Sequence, residues 1–283
     1  MAEQRKMDEK NTKLRIISGI ILAILLFATE IIGGIAWLLF TAFIAFGGLY
    51  EFYKLYDIQK SVEGIVGYVT TAGFFALLYF KYSRYVIPLF VAAFLVLMIL
   101  HVLLFKKRKA EQALASAFGL IYPVILSSFL YLTRNLNHGV YFTLIVFAGS
   151  WVSDMFAWFF GSLFGKHHLP TPISPKKTLE GVFGGILGAI LLGLAYGLVI
   201  SLFSDLPYPW IVCPVLSASV SVFSVFGDLA ASAFKRHHGI KDYSNLIPGH
   251  GGILDRFDSV LFVAPIIYYE SLFVLKLFQW LNI

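Results

Sequence analysis

The chain is poor in charge. Of its 283 residues only 13% are Asp, Glu, Lys or Arg, against 59% hydrophobic, and its mean hydropathy is +0.80. Soluble globular chains carry about 25% charged residues. A water-soluble domain of this length has no interior large enough to hide so much apolar side chain, so that class is excluded and the bilayer is the expected solvent. Cysteine is nearly absent. Cys213 stands alone, which excludes an internal disulfide, and beside Pro214 in an apolar stretch it reads as a small buried hydrophobe. The adjacent histidines His167–His168 and His237–His238 have no cysteine partner and would point apart on a helix, so they read as headgroup contacts rather than a zinc site. A low-complexity linker and an internal repeat are also missing, which argues against an inverted-repeat transporter.

What the chain does have is long apolar runs. A spanning helix needs roughly 20 mostly apolar residues. Nine runs qualify: Leu14–Thr29, Ile31–Tyr50, Ile65–Phe80, Val86–Phe105, Leu114–Leu132, Val140–Phe164, Val182–Phe203, Trp210–Phe234 and Val260–Leu281. The first is short and follows no cleavage-site pattern, so it is expected to be retained rather than removed as a signal peptide. The expected fold is an all-α polytopic membrane protein of about nine transmembrane helices, eight or ten remaining open. The chain divides into N-terminal helices (1–135) and a C-terminal catalytic region (136–283).

With the N-terminus in the cytoplasm, eighteen Lys and Arg fall in cytoplasmic segments and three in outer loops. This asymmetry sets the expected orientation in the plasma or inner membrane. The net charge of +6 then reflects loops that meet anionic lipid headgroups, with no ordered basic and aromatic stripe for nucleic acid. The run Lys106–Lys109 reads as a topology anchor. Two long cytoplasmic loops, Gly165–Glu180 and Lys235–Arg256, mix Lys, His, Gly and Pro and are the expected seat of function.

Four clusters carry chemistry. Asp228 lies in an apolar helix, where charge is costly and faces a partner or a wet cavity, and it shares a helical face with Ser232 and Lys235. Pro248-Gly249-His250-Gly251-Gly252 offers a glycine-rich anion nest just before a helix start. Asp255 and Asp258 follow on one face of that helix, hard oxygen ligands of the kind that suit Mg²⁺ together with substrate phosphates. Arg236, Lys241 and Arg256 stand nearby. Ser174, Lys176, Lys177, Thr178 and Glu180 precede a glycine-rich helix, with lysines placed to hold phosphate. Asp154 is a fourth, intramembrane carboxylate, a candidate for contact with a cation or with the polar part of a substrate. Gly161/Gly165 and Gly184/Gly188 have the small-xxx-small spacing of close helix packing. Acids for Mg²⁺ and bases for phosphate, without a Ser-His or Cys-His pair, suit phosphoryl or nucleotidyl transfer.

The stretch Ser224–Asp258, with Gly227-Asp228, Ser232, Lys235-Arg236, Lys241-Asp242, Pro248–Gly252 and Asp255-Arg256-x-Asp258, resembles the signature of the phosphatidate cytidylyltransferase (CDP-diacylglycerol synthase) family. Ser153-Asp154 through Gly161, Gly165-Lys166 and Ser174–Gly181 resemble it too, and the N-terminal half fits in hydropathy and span count. One departure is Tyr243-Ser244, where small residues are common. The resemblance implies transfer of CMP from CTP to phosphatidic acid, a Mg²⁺ requirement (a second metal or a monovalent cation staying open), a homodimer in contact with membrane lipid, and a polar cavity open to the cytoplasmic side. It implies Asp228, Asp255 and Asp258 as metal ligands. Lys235, Arg236, Lys241 and Arg256 would hold the triphosphate. Asp154, Ser174, Lys176, Lys177, Thr178, Glu180, Ser232, Pro248, His250, Gly251 and Gly252 would contact substrate. The alternatives are an ether-lipid cytidylyltransferase, a polyprenol kinase and, more distantly, a transporter of phosphorylated metabolites.

Overall fold

The computed structural model describes the backbone of residues 2–171 and 173–281 and the side chains of 14–171 and 173–281. The side chains of Arg5, Lys6, Lys10 and Lys13, counted among the cytoplasmic charges, lie outside the described residues. Hydrocarbon has no hydrogen-bond partners for an open backbone, so a lipid-spanning segment closes its bonds within itself as a helix. The chain does so as α1 (Ala2–Ile32), α2 (Gly34–Leu55), α3 (Val62–Tyr79), α4 (Val86–Leu103), α5 (Ala110–Gly119), α6 (Leu126–Arg134), α7 (Gly139–Phe164), α8 (Leu179–Ile200), α9 (Pro209–His237) and α10 (Leu254–Leu281). Among the described residues nine helical segments are long and apolar enough to cross a membrane, α5 and α6 making one span of Ala110–Arg134. The all-helical fold of about nine spans therefore stands.

Details differ from the hydropathy reading. α1 reaches Ile32 and turns into α2 at a single residue, Gly33, whose φ of +66° is a conformation that side chains resist. The fifth span is interrupted at Leu120–Ile125 by a π-helical turn holding Pro123; proline has no N–H to donate, and the wider turn absorbs the lost bond. α10 begins at Leu254, six residues before the apolar run, because Asp255 stands in its first turn, where the positive helix end favours an acid.

The helices pack as two compact units. One holds the described residues up to Ser128 together with Ile240–Phe257; the other holds Phe129–Gly239 together with the chain from Asp258 onward. α2 is the centre of the first unit, with Trp37, Ile44, Leu49, Phe52 and Tyr53 fully buried. The Tyr53 hydroxyl donates to the Ser116 carbonyl at 2.7 Å. Arg108, in the run read as a topology anchor, pairs with the buried Glu63 at 3.3 Å. A buried acid needs a partner more than a lipid headgroup does.

In the second unit α8 is wedged between α7 and α9 along its glycines. A Cβ on Gly185 would lie 2.9 Å from the Ser153 carbonyl oxygen, and one on Gly193 would lie 2.6 Å from Ser217 Oγ and 2.7 Å from the Cys213 carbonyl oxygen. The Gly184/Gly188 pair seats Phe160 and Phe156 of α7, so this small-residue spacing serves packing within the chain. Overpacking such a contact costs about 1–3 kcal/mol. Gly193→Val is expected to lower the melting temperature of the detergent-solubilised protein. Gly73→Ala, whose Cβ would meet only Leu89 at 3.5 Å, is expected to leave it unchanged.

Candidate functional site

In the second unit a cavity of about 370 Å³ lies among α7, α8 and α9, with Asp154, Lys176, Lys177, Thr178 and Trp158 on its wall. The segment before α8 folds back on itself through Leu169 N–H to the Lys177 carbonyl (2.8 Å) and Leu179 N–H to the His167 carbonyl (2.9 Å). That reversal delivers Lys177 to α9, where its Nζ meets Asp228 Oδ2 at 2.6 Å. Two partly buried opposite charges at this distance attract more than a fully exposed pair does, because partial burial weakens solvent screening. Asp228 also lies within electrostatic reach of Asp154 and of Asp258, and Asp258 within reach of Lys235. Asp258 is buried and accepts from the Ser259 backbone N–H at 2.7 Å. Gly227 makes this approach possible: its Cβ would come within 2.9 Å of Ser259 Cα. Three carboxylates from α7, α9 and α10 thus converge with two lysines.

Other predicted residues of this unit have different partners. Thr178 caps α8, its Oγ1 accepting from Gly181 N–H at 3.1 Å. Glu180 binds the His167 ring, Oε1 to Nδ1 at 2.6 Å, and accepts from its backbone N–H, so His167 has a partner within the chain that residue order did not indicate. Ser174 sits in the turn, its carbonyl accepting from Lys177 N–H at 3.2 Å. Ser232 is half-buried on α9, and Arg236 is exposed near its end.

The first unit holds the glycine-rich loop. Ile247 N–H bonds the Gly251 carbonyl and His250 N–H the Ile247 carbonyl, both at 2.9 Å. The tight turn needs positive φ at Gly249 (+75°) and Gly251 (+86°). His250 faces α1, with Nδ1 2.8 Å from Ser18 Oγ, while Ser18 donates to the Pro248 carbonyl at 2.9 Å. Asp255 Oδ2 accepts from Tyr243 N–H (2.8 Å) and Gly252 N–H (2.9 Å), closing the loop on itself. Lys241, Pro248 and Arg256 are exposed.

Sequence reasoning missed Glu51. It is fully buried at the end of α2 and accepts from Ser244 Oγ, Ile253 N–H (2.9 Å) and Leu254 N–H (2.8 Å). The signal was available: an acid inside an apolar run is a functional candidate by default, the rule that singled out Asp154.

Among the described residues no three His, Cys, Asp or Glu side chains form a ready-made metal cage. Mg²⁺ does not require one, since it commonly takes one or two carboxylates and completes its shell with water and substrate phosphate. Asp228, already holding a cation at Oδ2 and flanked by further acids, fits that donor chemistry.

A family model described as "Cytidylyltransferase family" matches residues 13–274. The chain belongs to the cytidylyltransferase family. A phosphatidate cytidylyltransferase of Bacillus subtilis is 33% identical over 275 residues, 94% of this chain and 98% of that protein. Those of Staphylococcus epidermidis (43% over 139 residues) and Thermotoga maritima (41% over 155) match 49% and 54% of this chain. These matches span 52% and 57% of the relatives' own lengths, little more than half.

Within this family member, His250 is held below its ordinary value by burial and by the charges of Arg256 and Arg15. A lowered imidazole pKa means that the undocked loop takes up a proton more readily than the docked one. The docked loop is therefore favoured above the ordinary imidazole range, and that advantage is lost as pH falls. The melting temperature of the wild-type chain is expected to drop more between about pH 7.5 and about pH 5.5 than that of His250→Gln.

Proposed function

We propose that the chain transfers CMP from CTP to phosphatidic acid, giving CDP-diacylglycerol and pyrophosphate in phospholipid synthesis. The observation that carries the reading is the Lys177–Asp228 ion pair beside a cavity of about 370 Å³, in a chain whose relatives are named phosphatidate cytidylyltransferase.

The nucleophile is a phosphate oxygen of phosphatidic acid, a monoester whose second pKa near 6 leaves it anionic at neutral pH. No strong general base is needed. The new P–O bond forms at the α-phosphorus of CTP as the bond to the β-phosphate bridge breaks, and that electron pair leaves with pyrophosphate. The barrier is the approach of two anions. Lys176 and Lys177 offset it from the cavity wall, with Lys235 beside Asp258; Arg236, Lys241 and Arg256 remain proposed phosphate contacts. Asp228 and Asp258 would hold Mg²⁺, which when bound neutralises phosphate charge and fixes phosphate geometry. Asp154 would contact the same cation or the polar part of the lipid. Apolar wall residues such as Trp158 and Val182 suit the acylglycerol side of the substrate. The orientation with the N-terminus and catalytic loops in the cytoplasm, residence in the plasma or inner membrane, and a homodimer belong to the same proposal.

Purified full-length protein in detergent, given labelled CTP and phosphatidic acid, is expected to form CDP-diacylglycerol with Mg²⁺ and none after chelation. Asp228→Asn is expected to lower kcat about 100-fold or more while the protein stays monodisperse. Undiminished activity in that variant would sink the role given to Asp228. Release of CDP would identify a kinase, and flux across proteoliposomes without CTP turnover a transporter. A cysteine placed at Lys107 in a Cys213→Ser background is expected to react with an impermeant reagent only from the cytoplasmic side.

A further inference from the structure

We infer that Glu51 is a positioning residue for the reaction, holding the loop at 243–253 and the first turn of α10 in place from a helix about two hundred residues earlier in the chain. The inference rests on the proposed function for its catalytic part. Its structural part stands on geometry alone.

The first N–H groups of any helix lack partners inside the helix, and the usual remedy is a side chain just upstream. α10 has no such arrangement at Ile253 and Leu254. Their N–H groups are taken instead by the two oxygens of one buried carboxylate, Glu51 Oε1 at 2.9 Å and Oε2 at 2.8 Å. Ser244 Oγ donates to the same Oε1. A fully buried carboxylate is tolerated where several donors and the positive end of a helix face it, and Glu51 has both. The fit leaves no slack. A Cβ on Gly252 would fall 2.5 Å from Oε1 and 2.6 Å from Oε2, and one on Gly48 would fall 3.0 Å from Leu254 Cδ2.

Asp255 grips the same segment from the other side, through Gly252 and Tyr243 N–H. The loop is thus clamped between a carboxylate of α2 and one of α10. The clamp sets where the Gly249 and Gly251 turn sits and how α10 enters with Asp255 and Arg256. Ser244 serves here as a third donor.

Glu51→Gln keeps the volume but replaces one acceptor oxygen by a donor that faces N–H groups. Leaving such a group unsatisfied is expected to cost about tenfold. Two readouts on the full-length protein in detergent test the inference. First, amide exchange at Ile253 and Leu254 is expected to accelerate about tenfold or more in Glu51→Gln, with α7–α9 amides unchanged, and to accelerate less in Ser244→Ala, which removes one donor of three. Unchanged exchange in Glu51→Gln overturns the clamp. Second, kcat per folded molecule is expected to fall about tenfold while KM for CTP moves less than about twofold, because positioning acts on the transition state. A lowered melting temperature with wild-type kcat means that Glu51 only supports the fold and overturns the positioning role. If the wild-type protein makes no CDP-diacylglycerol, the proposed function fails, and the exchange experiment still decides the clamp.

Discussion

Inside hydrocarbon no water completes a hydrogen bond or screens a charge, and the backbone and three acids of this fold are placed to meet that constraint. The backbone meets it by coiling into helices. Acids meet it by recruiting donors: Asp228 takes Lys177, Glu63 takes Arg108, and Glu51 takes two backbone N–H groups and a serine. Each pairing joins segments distant in sequence. Each also converts a charge that would be expelled from the membrane into a fixed point of the fold.

Close approach of helices is the second requirement, because apolar side chains gain nothing by leaving lipid for protein. Glycines on α8 let α7 and α9 come near enough for backbone and small polar groups to touch. The Ser153–Ser221 hydroxyl pair at 2.6 Å sits just inside the cavity wall that carries Asp154. The packing that stabilises the second unit is therefore also what shapes its cavity, so one set of glycines serves stability and chemistry together.

Much of this was legible in the residues. Hydropathy gave the spans within a few residues, since the cost of exposing a backbone to lipid is local and additive. The acids Asp154 and Asp228 stood out because a charge in an apolar run is rare, and Asp258 because it follows Asp255 on one helical face. Missed were partners. Helical spacing put Asp228 on one face with Lys235, and the folded-back segment before α8 adds Lys177. His250, expected as a substrate contact, also meets Ser18 of α1, a neighbour that residue order did not suggest. Glu51 escaped notice because its run lies in the N-terminal half, which resembles the family only in hydropathy.

The sequence by itself determined a many-helix membrane protein, the family and the residue types of its chemistry, because burial of apolar surface and the cost of isolated charge are properties of residues and short windows. Only the tertiary structure decided which charge answers which. It assigned Lys177 to Asp228 and Glu51 to the start of α10, and it placed the glycine-rich loop with the N-terminal helices. Those choices depend on where helix ends and chain reversals bring groups in space, and an ion pair or hydrogen bond depends on distances of a few ångströms that residue order does not contain.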